Sequence, residues 1–414
     1  MHTIKLLAKD YFLYNSALRE LLSRGLRWHE ILSRPVDSNS TAWLVDRLAH
    51  AARLTTSERQ QVIIEQRLGE LMSQWTSSGF DWDRFFPLSS KRLVQKAIIL
   101  KPALPNGERG VLFVAFEDNW LRLLRYANVS KLAGYYDLVL SPTWSPPQDL
   151  PMLVAARMWP RAMYSILSHI DDEVIFHRLS ENLRPIPLLA SSWVNPNIFQ
   201  SRSVPKRYDI VMLANFGEYK RHFALFRALG GAPLKLSVLL LGGRWGGRTP
   251  EVLLTEAAHF GVRDQITIEE NLPDVDMIPA LQSARVSVIM SKGEGSCVAV
   301  AESLFANIPV GLIEGARVGS NVFINAQTGR FLRESRLGED LVDFVNHYSD
   351  FQPRQWMLDG ATSCYASSQI LNQLLRQHAE SEGRPWTQDL KPMQWRPNAE
   401  YLNAEDAAAL HSPR

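Results

Sequence analysis

SKGEGSCVAVAESLFANIPVGL, residues 291–312, comes directly after the apolar run VSVIM, residues 286–290. The run has the length and β-branched content of a buried strand. The longer segment opens on small residues, Gly293, Gly295 and Ser296, and turns into a helix-like pattern near Cys297. Open α/β sheets bind ligands beyond the carboxyl ends of their strands. A turn of small residues entering a helix presents free backbone N–H groups at the positive end of the helix dipole. The amides of Ser296, Cys297 and Val298 are therefore expected to hold a diphosphate. Two carboxylates bracket the turn, Glu294 before the helix and Glu302 on it. A carboxylate beside a phosphate is repulsive unless it has another task, and accepting hydrogen bonds from sugar hydroxyls is such a task. Glu294 is placed for a hexose just past the phosphates, and Glu302, two turns down, for a ribose. The plainer reading makes Glu294 a first-turn dipole partner and Glu302 a solvated helix residue.

Outward from this stretch, short apolar runs alternate with helical patterns. The runs are DIVMLAN (209–215), KLSVLLLGG (235–243), QITIEE (265–270), VSVIM and PVGLIEG (309–315). The helices between them are KRHFALFRAL (220–229), PEVLLTEAAHFG (250–261), MIPALQSA (277–284) and VAVAESLFAN (298–307). Near-continuous apolar strands predict a parallel sheet with helices on both faces, a doubly wound domain over 206–350. A second, less regular alternation occupies 96–205, with KAIIL (96–100), GVLFVAF (110–116), DLVLS (137–141), EVIFH (173–177) and PIPLLAS (185–191) as strands. SRSVPKR (201–207) reads as a linker. Residues 1–95 read as helical from the spacing in LLAKDYFLYNSALRELLSRG (6–25), TAWLVDRLAHAARL (41–54) and ERQQVIIEQRLGELMSQW (58–75). Ser40 is the expected cap of the second helix, and Thr56 or Ser57 of the third. Residues 351–414 read as a long helix, ATSCYASSQILNQLLRQHAESEG (361–383), and a tail, expected to pack back on the first α/β domain.

Lys and Arg total 45 against 43 Asp and Glu, a balance that gives no reason to expect a nucleic-acid partner. The two cysteines, Cys297 and Cys364, form no disulfide framework or zinc pattern and fit a reducing cytoplasm. No apolar run is long enough to span a membrane, and the N-terminus lacks the apolar core of a secretory signal. Twelve tryptophans are many for this length, several of them in polar contexts (Trp75, Trp82, Trp386, Trp395). Packing is the plain reading, with carbohydrate stacking as the alternative.

EGSCVAVAESLFANIPVGL (294–312) resembles the signature of the retaining GT-B glycosyltransferases (glycosyl transferases group 1, family 4), usually written EGFGLVLLEAMACGLPVV, with seven residues between its glutamates. INAQTGRFL (324–332), with its turn at Thr328–Gly329, resembles the family's element after the donor helix. VMLANFGEYKRHFALFRAL (211–229) resembles the first strand, loop and helix of its C-domain. LSVLLLGG (236–243) resembles the next strand and glycine turn, and SSWVNPNIF (191–199) the end of the N-domain. The resemblance runs from about Arg184 to Tyr348, thins over 96–183 and is absent before that.

The resemblance implies a GT-B fold, two Rossmann-like doubly wound domains facing a cleft, here with an added helical N-terminal region. It implies that Glu302 binds the ribose, Glu294 the hydroxyls of the transferred sugar, and Lys220 the diphosphate, whose charge grows as the glycosidic bond breaks. On this reading Glu294 and Lys220 are the catalytic candidates. Asn215, Arg221, Gly243, Arg244, Gly295, Ser296, Cys297, Val298 and Glu302 complete the donor site. Asn215 stands where the family has an arginine, so one diphosphate charge contact is missing unless Arg221 or Arg244 substitutes. The family's GFG becomes Gly295, Ser296, Cys297. The family's N-domain histidine has no counterpart in DLVLSPTWSPP (137–147), which offers Ser141 and Trp144. Asp118 and Asn119 are the remaining acceptor-side candidates, although Asp118 also reads as a cap for WLRLLRYA (120–127). No cofactor and no metal are implied, since no Asp-x-Asp motif lies in a suitable loop. The expected partners are a nucleotide-sugar donor and a glycan or lipid-linked acceptor entering between the domains. Residues 1–95 read first as packing on the N-domain sheet, with peripheral contact at the inner face of a membrane, or docking of a partner, as the alternatives. The alternatives are a non-catalytic GT-B-like subunit supporting another transferase and, further off, a GT-B sugar-nucleotide epimerase.

Overall fold

The computed structural model describes residues 2–32, 34–89, 97–143, 146–360 and 362–394. The chain divides into two compact units. The N-terminal unit is Asp10–Ala190 with Ser368–Arg414, and the C-terminal unit is Ser191–Ser367 with Met1–Lys9.

The N-terminal unit is built on five strands: β1 (Ala97–Lys101), β2 (Gly110–Ala115), β3 (Tyr136–Ser141), β4 (Met163–Leu167) and β5 (Leu183–Leu189). They lie in the order β1-β2-β3-β4-β5. β1 is an antiparallel edge, and the other pairs are parallel. Every residue of β1 to β4 is buried, as expected when both faces are covered.

The helix Glu173–Leu179 corrects the strand reading of EVIFH. Its β-branched and aromatic composition suits a strand, but Ile175, Phe176 and Leu179 are the buried set, which is helical spacing. The strand of this region is instead MYSIL (163–167), a short buried run that periodicity alone does not separate from helix.

The N-terminal helices are α1 (His2–Tyr14), α2 (Ser16–Leu32), α3 (Ser38–Leu54) and α4 (Glu58–Gln74). The first segment, read as continuous, breaks at Asn15, whose side chain accepts from the Leu18 amide and caps α2. α3 is capped by Asp37, with Ser40 as the reciprocating residue of a capping box, so Ser40 itself is not the cap. Ser57 caps α4. α3 and α4 pack on the helix Leu150–Met158, and α4 also on Glu173–Leu179. Glu65, a fully buried carboxylate on α4, takes hydrogen bonds from Gln61, Gln148 and Arg178 (2.6–2.8 Å). An uncompensated charge there would be costly, so these partners pin α4 to the domain. On the helix Cys364–Ser381, Leu371, Leu375 and Ala379 are buried and His378 stacks on Tyr164 of β4.

The main sheet of the C-terminal unit has six strands: β6 (Tyr208–Leu213), β7 (Val238–Gly242), β8 (Ile266–Glu270), β9 (Ala284–Ile289), β10 (Val310–Ile313) and β11 (Gly329–Leu332). All pairs are parallel, in the order β11-β10-β9-β6-β7-β8. The chain runs outward from β6 through β7 to β8, then returns to the other side of β6 at β9. That reversal defines a crevice at the carboxyl ends of β6 and β9. Leu6 of α1 is buried in the core of this unit.

Candidate donor site at the strand-order reversal

Two loops meet at the crevice. The loop after β6 runs from Ala214 to Arg221 and ends in a 3-10 turn, Glu218–Lys220, before the helix His222–Gly230. The loop after β9 runs from Met290 to Cys297 and enters the helix Val298–Phe305. Both helices start on a non-glycine residue in the left-handed region, Arg221 (φ 58°) and Cys297 (φ 48°). Such backbone is strained and persists only where its surroundings over-determine it. Cys297 occupies the second glycine of the GFG pattern, and the altered residue keeps a glycine-like conformation.

The turn is held from outside. Gly293–Glu294 pairs in parallel with Arg317–Val318. Gly319 N–H donates to Gly295 O (2.8 Å), and Ser320 Oγ donates to the Ser296 and Cys297 carbonyls. Ser296, nearly fully buried, accepts through Oγ from the Ser191 amide (2.7 Å). Its side chain is thus a structural anchor, which leaves backbone groups to face a ligand. The segment ARVGS (316–320) has no chemical residue pattern, so sequence reasoning missed its role.

The two catalytic candidates come together. Lys220 Nζ lies 2.6 Å from Glu294 Oε2, with both side chains about nine-tenths buried. Ser291 Oγ donates to the other carboxylate oxygen. Burial alone would lower the Lys220 ammonium, but the Glu294 carboxylate beside it outweighs that and raises it. It is a fixed cation. With three N–H donors it can keep Glu294 and still meet a second anion. The Cys297 thiol is pushed up by burial and then by Glu294, so it stays protonated. Lys220 is therefore no exposed helix-start lysine. Glu302 is buried on the second turn of its helix, which removes the solvated reading of that residue.

Other candidates serve the loops. Asn215 Oδ1 accepts from the Gly217 amide (3.0 Å) and its Nδ2 donates to the Tyr219 hydroxyl (2.7 Å), closing the β6 loop. Arg221 is held by the protein itself. Its guanidinium is buried, donates to the Met290 carbonyl (3.0 Å) and pairs with Glu334. Glu334 also takes Lys292 at 2.8 Å and so ties the two site loops together. Burial would raise its carboxyl, but Lys292 and Arg221 hold it below the usual range. Arg244 is exposed and paired with Glu270 at 2.8 Å. Gly243 sits where a Cβ would come within 2.3 Å of Asn271 Oδ1, and one on Gly242 would lie 1.8 Å from Ala214 O. At Gly242 the backbone after β6 comes too close for any side chain, and at Gly243 the Asn271 side chain fills the space. Val298 is half-buried at the helix start.

His222, next to Arg221, was not foreseen. It is fully buried, and both ring nitrogens lack a hydrogen-bond partner among the described residues. Burial, helped by the Arg248 and Lys220 cations, lowers it to about 3, so it is neutral.

On the acceptor side, Asp118 is not a cap. The helix is Glu117–Tyr126, its N-cap position is Phe116, and Asp118 lies exposed in the first turn, 3.9 Å from Arg122. Asn119 is buried and donates to the Ala115 carbonyl (2.7 Å). Trp144, like Trp395, lies outside the described residues. Glu117, which the sequence did not single out, is buried and accepts from the Thr143 amide and hydroxyl (3.0 and 2.6 Å). It comes after Phe116, whose φ of 72° and ψ of 134° are unusual for a side-chain-bearing residue. Among the described residues no three His, Cys, Asp or Glu side chains form a metal-holding group.

Residues 194–350 match the family model of glycosyl transferases group 1, and this segment is a domain of that family. A search of curated proteins returns no match. Among solved structures, the chain is similar to sucrose-phosphate synthase from Thermosynechococcus elongatus, with TM-score 0.52, 17% identity, and 65% of this chain and 73% of that one covered. It is also similar to Anabaena HepE in complex with UDP-glucose (TM-score 0.49, 12% identity, 64% and 78% covered). A third similar structure is the pneumococcal O-GlcNAc transferase GtfA with UDP and GlcNAc (TM-score 0.47, 13% identity). The alignment with GtfA covers 61% of this chain and about half, 54%, of that one. The synthase likeness is one of fold. With its two parallel-sheet units, the chain has the fold of GT-B glycosyltransferases.

Proposed function

We propose that the chain transfers a sugar, with retention, from a nucleotide-diphosphate donor to a hydroxyl acceptor. The observation that carries this is the buried Lys220–Glu294 pair at the strand-order reversal, beside the start of the Val298–Phe305 helix. Glu302 takes the ribose and Glu294 the hydroxyls of the transferred sugar. The bond from the sugar's anomeric carbon to the diphosphate breaks, and its electron pair stays on the phosphate oxygen. The acceptor oxygen bonds to that carbon and its proton passes to the leaving phosphate. Lys220 and the helix N-terminus stabilise the growing charge, and the site holds the partners in line. That charge provision makes the reaction metal-independent, with no cofactor. A screen of purified protein against UDP-, GDP- and ADP-sugars tests the reading. Release of the nucleoside diphosphate from one donor, unchanged by EDTA, supports it; no release from any of them contradicts it.

A non-catalytic GT-B-like subunit is the second reading, favoured by one observation. Asn215 stands where the family has a diphosphate-binding arginine, and Arg221 is buried in its pair with Glu334. Nucleotide binding without turnover in the same screen would select it.

We place the protein in the cytoplasm, acting on a glycan or lipid-linked acceptor, with peripheral membrane contact. No described helix is long and apolar enough to cross a membrane. On α2, Leu21, Trp28 and Leu32 are 66%, 59% and 77% exposed along one helical face, and exposed Arg24 flanks them. Sedimentation with anionic vesicles should fall when Leu21 and Trp28 are both changed to Asp; unchanged sedimentation removes this surface from the account.

A further inference from the structure

The N-terminal unit contains a cavity of about 630 Å³, a size suited to a small ligand. One wall is a face of α3 that includes Trp43, Arg47 and Arg53. Another is the segment Arg84–Phe86, and the loop after β3 contributes Asp149. The cavity is lined wholly by residues of this unit.

Its charges do not cancel. Arg53 pairs with Asp149 at 3.0 Å, and Asp46 lies 3.6 Å from His50. Arg47 and Arg84 make no ion pair among the described residues. Each rests on an aromatic ring instead, Arg47 5.5 Å from the Trp43 centroid and Arg84 5.4 Å from that of Phe85. Asp37 lies within electrostatic reach of Arg84, but its carboxylate is spent on capping α3. Arg47 Nε is a buried donor with no hydrogen-bond partner among the described residues. Leaving such a donor unmet is unfavourable and calls for an explanation. Arginine forks match the geometry of carboxylate and phosphate oxygens. Trp43, Phe85 and Phe86 add flat apolar surface beside them, on which the C–H face of a sugar ring packs.

We propose that this cavity binds an anionic sugar, its ring against the aromatic wall and its phosphate or carboxylate on Arg47 and Arg84. Titration calorimetry of the full chain with glucose 6-phosphate, glucuronate, glucose and inorganic phosphate tests it. Saturable binding of glucose 6-phosphate or glucuronate is expected, and whichever binds more tightly identifies the anion. Glucose and inorganic phosphate should each bind at least about tenfold more weakly, because each lacks one half of the recognised chemistry. Arg47→Gln combined with Arg84→Gln should weaken the anionic sugar by about tenfold or more at an unchanged melting temperature. If the double variant does not fold, Arg84→Gln alone carries the test, since that side chain is exposed. Equal affinity for glucose, equal affinity for inorganic phosphate, unchanged affinity in the folded variant, or no binding by either anionic sugar would each overturn the proposal.

Discussion

The two sheets of this chain make their functional surface in different ways. In the C-terminal unit the strand order reverses between β6 and β9, and the crevice is a consequence of topology. Two loops converge there, and the strained residues that cap their helices, Arg221 and Cys297, are fixed by Glu334, Ser320 and the Met290 carbonyl. In the N-terminal unit the strands run in sequence order, so the sheet has no reversal. Its cavity is made by added helices, with α3 and the Arg84–Phe86 segment standing over the loop after β3. A reversal makes a site from the sheet itself; without one, extra elements supply the walls.

The largest effect should come from removing those elements. Deleting residues 1–95 uncovers the helices Leu150–Met158 and Glu173–Leu179 and strips Arg178 and Gln148 of the Glu65 carboxylate. The truncated chain is expected to aggregate on purification, as judged by size-exclusion chromatography. A soluble, folded truncated chain would show that the N-terminal sheet does not depend on the added helices.

Within the donor unit, Lys220→Ala should lower turnover by about a hundredfold, more than it weakens donor affinity. Its partner charge grows toward the transition state. An unchanged kcat in steady-state kinetics would remove Lys220 from the mechanism. Glu302→Ala should weaken nucleotide binding by about ten- to a hundredfold, the loss of a hydrogen bond to a charged group. Calorimetry showing equal affinity would refute the ribose assignment.

A smaller effect depends on pH. His222 titrates near 3 in the folded protein against 6.5 for the free side chain. The unfolded chain therefore binds the extra proton between those values, and stability falls as pH drops through that window. The cost is about 2 kcal/mol between pH 7 and pH 5. His222→Leu should flatten this acid slope in urea titrations while leaving stability at pH 7 little changed. An unaltered slope would show that His222 is not the group responsible.

The same contrast decides how much was legible in the sequence. The C-terminal strands were readable because each is a buried apolar run between turn residues. Glu294 and Glu302 stood out as carboxylates bracketing a turn of small residues, and Lys220 through the family resemblance. The partners of the turn were not legible: Ser320, Glu334 and the Arg317–Val318 strand lie beyond it in sequence and meet it only through the sheet. Arg221 looked like a phosphate ligand because sequence does not show which way a side chain points. In the N-terminal half, EVIFH and MYSIL are both short apolar runs, and packing rather than composition decides which is strand. Asp37 was missed as a cap because Ser40, three residues later, has an equally suitable side chain and completes the same box.

Hydrogen–deuterium exchange of the full chain with and without saturating nucleotide-sugar tests the central claim most directly. The account predicts slowed exchange in two separate peptides, 214–222 and 291–302, because the donor lies where the loops after β6 and β9 meet. Slowed exchange elsewhere, with both peptides unchanged under conditions of demonstrated binding, would contradict it.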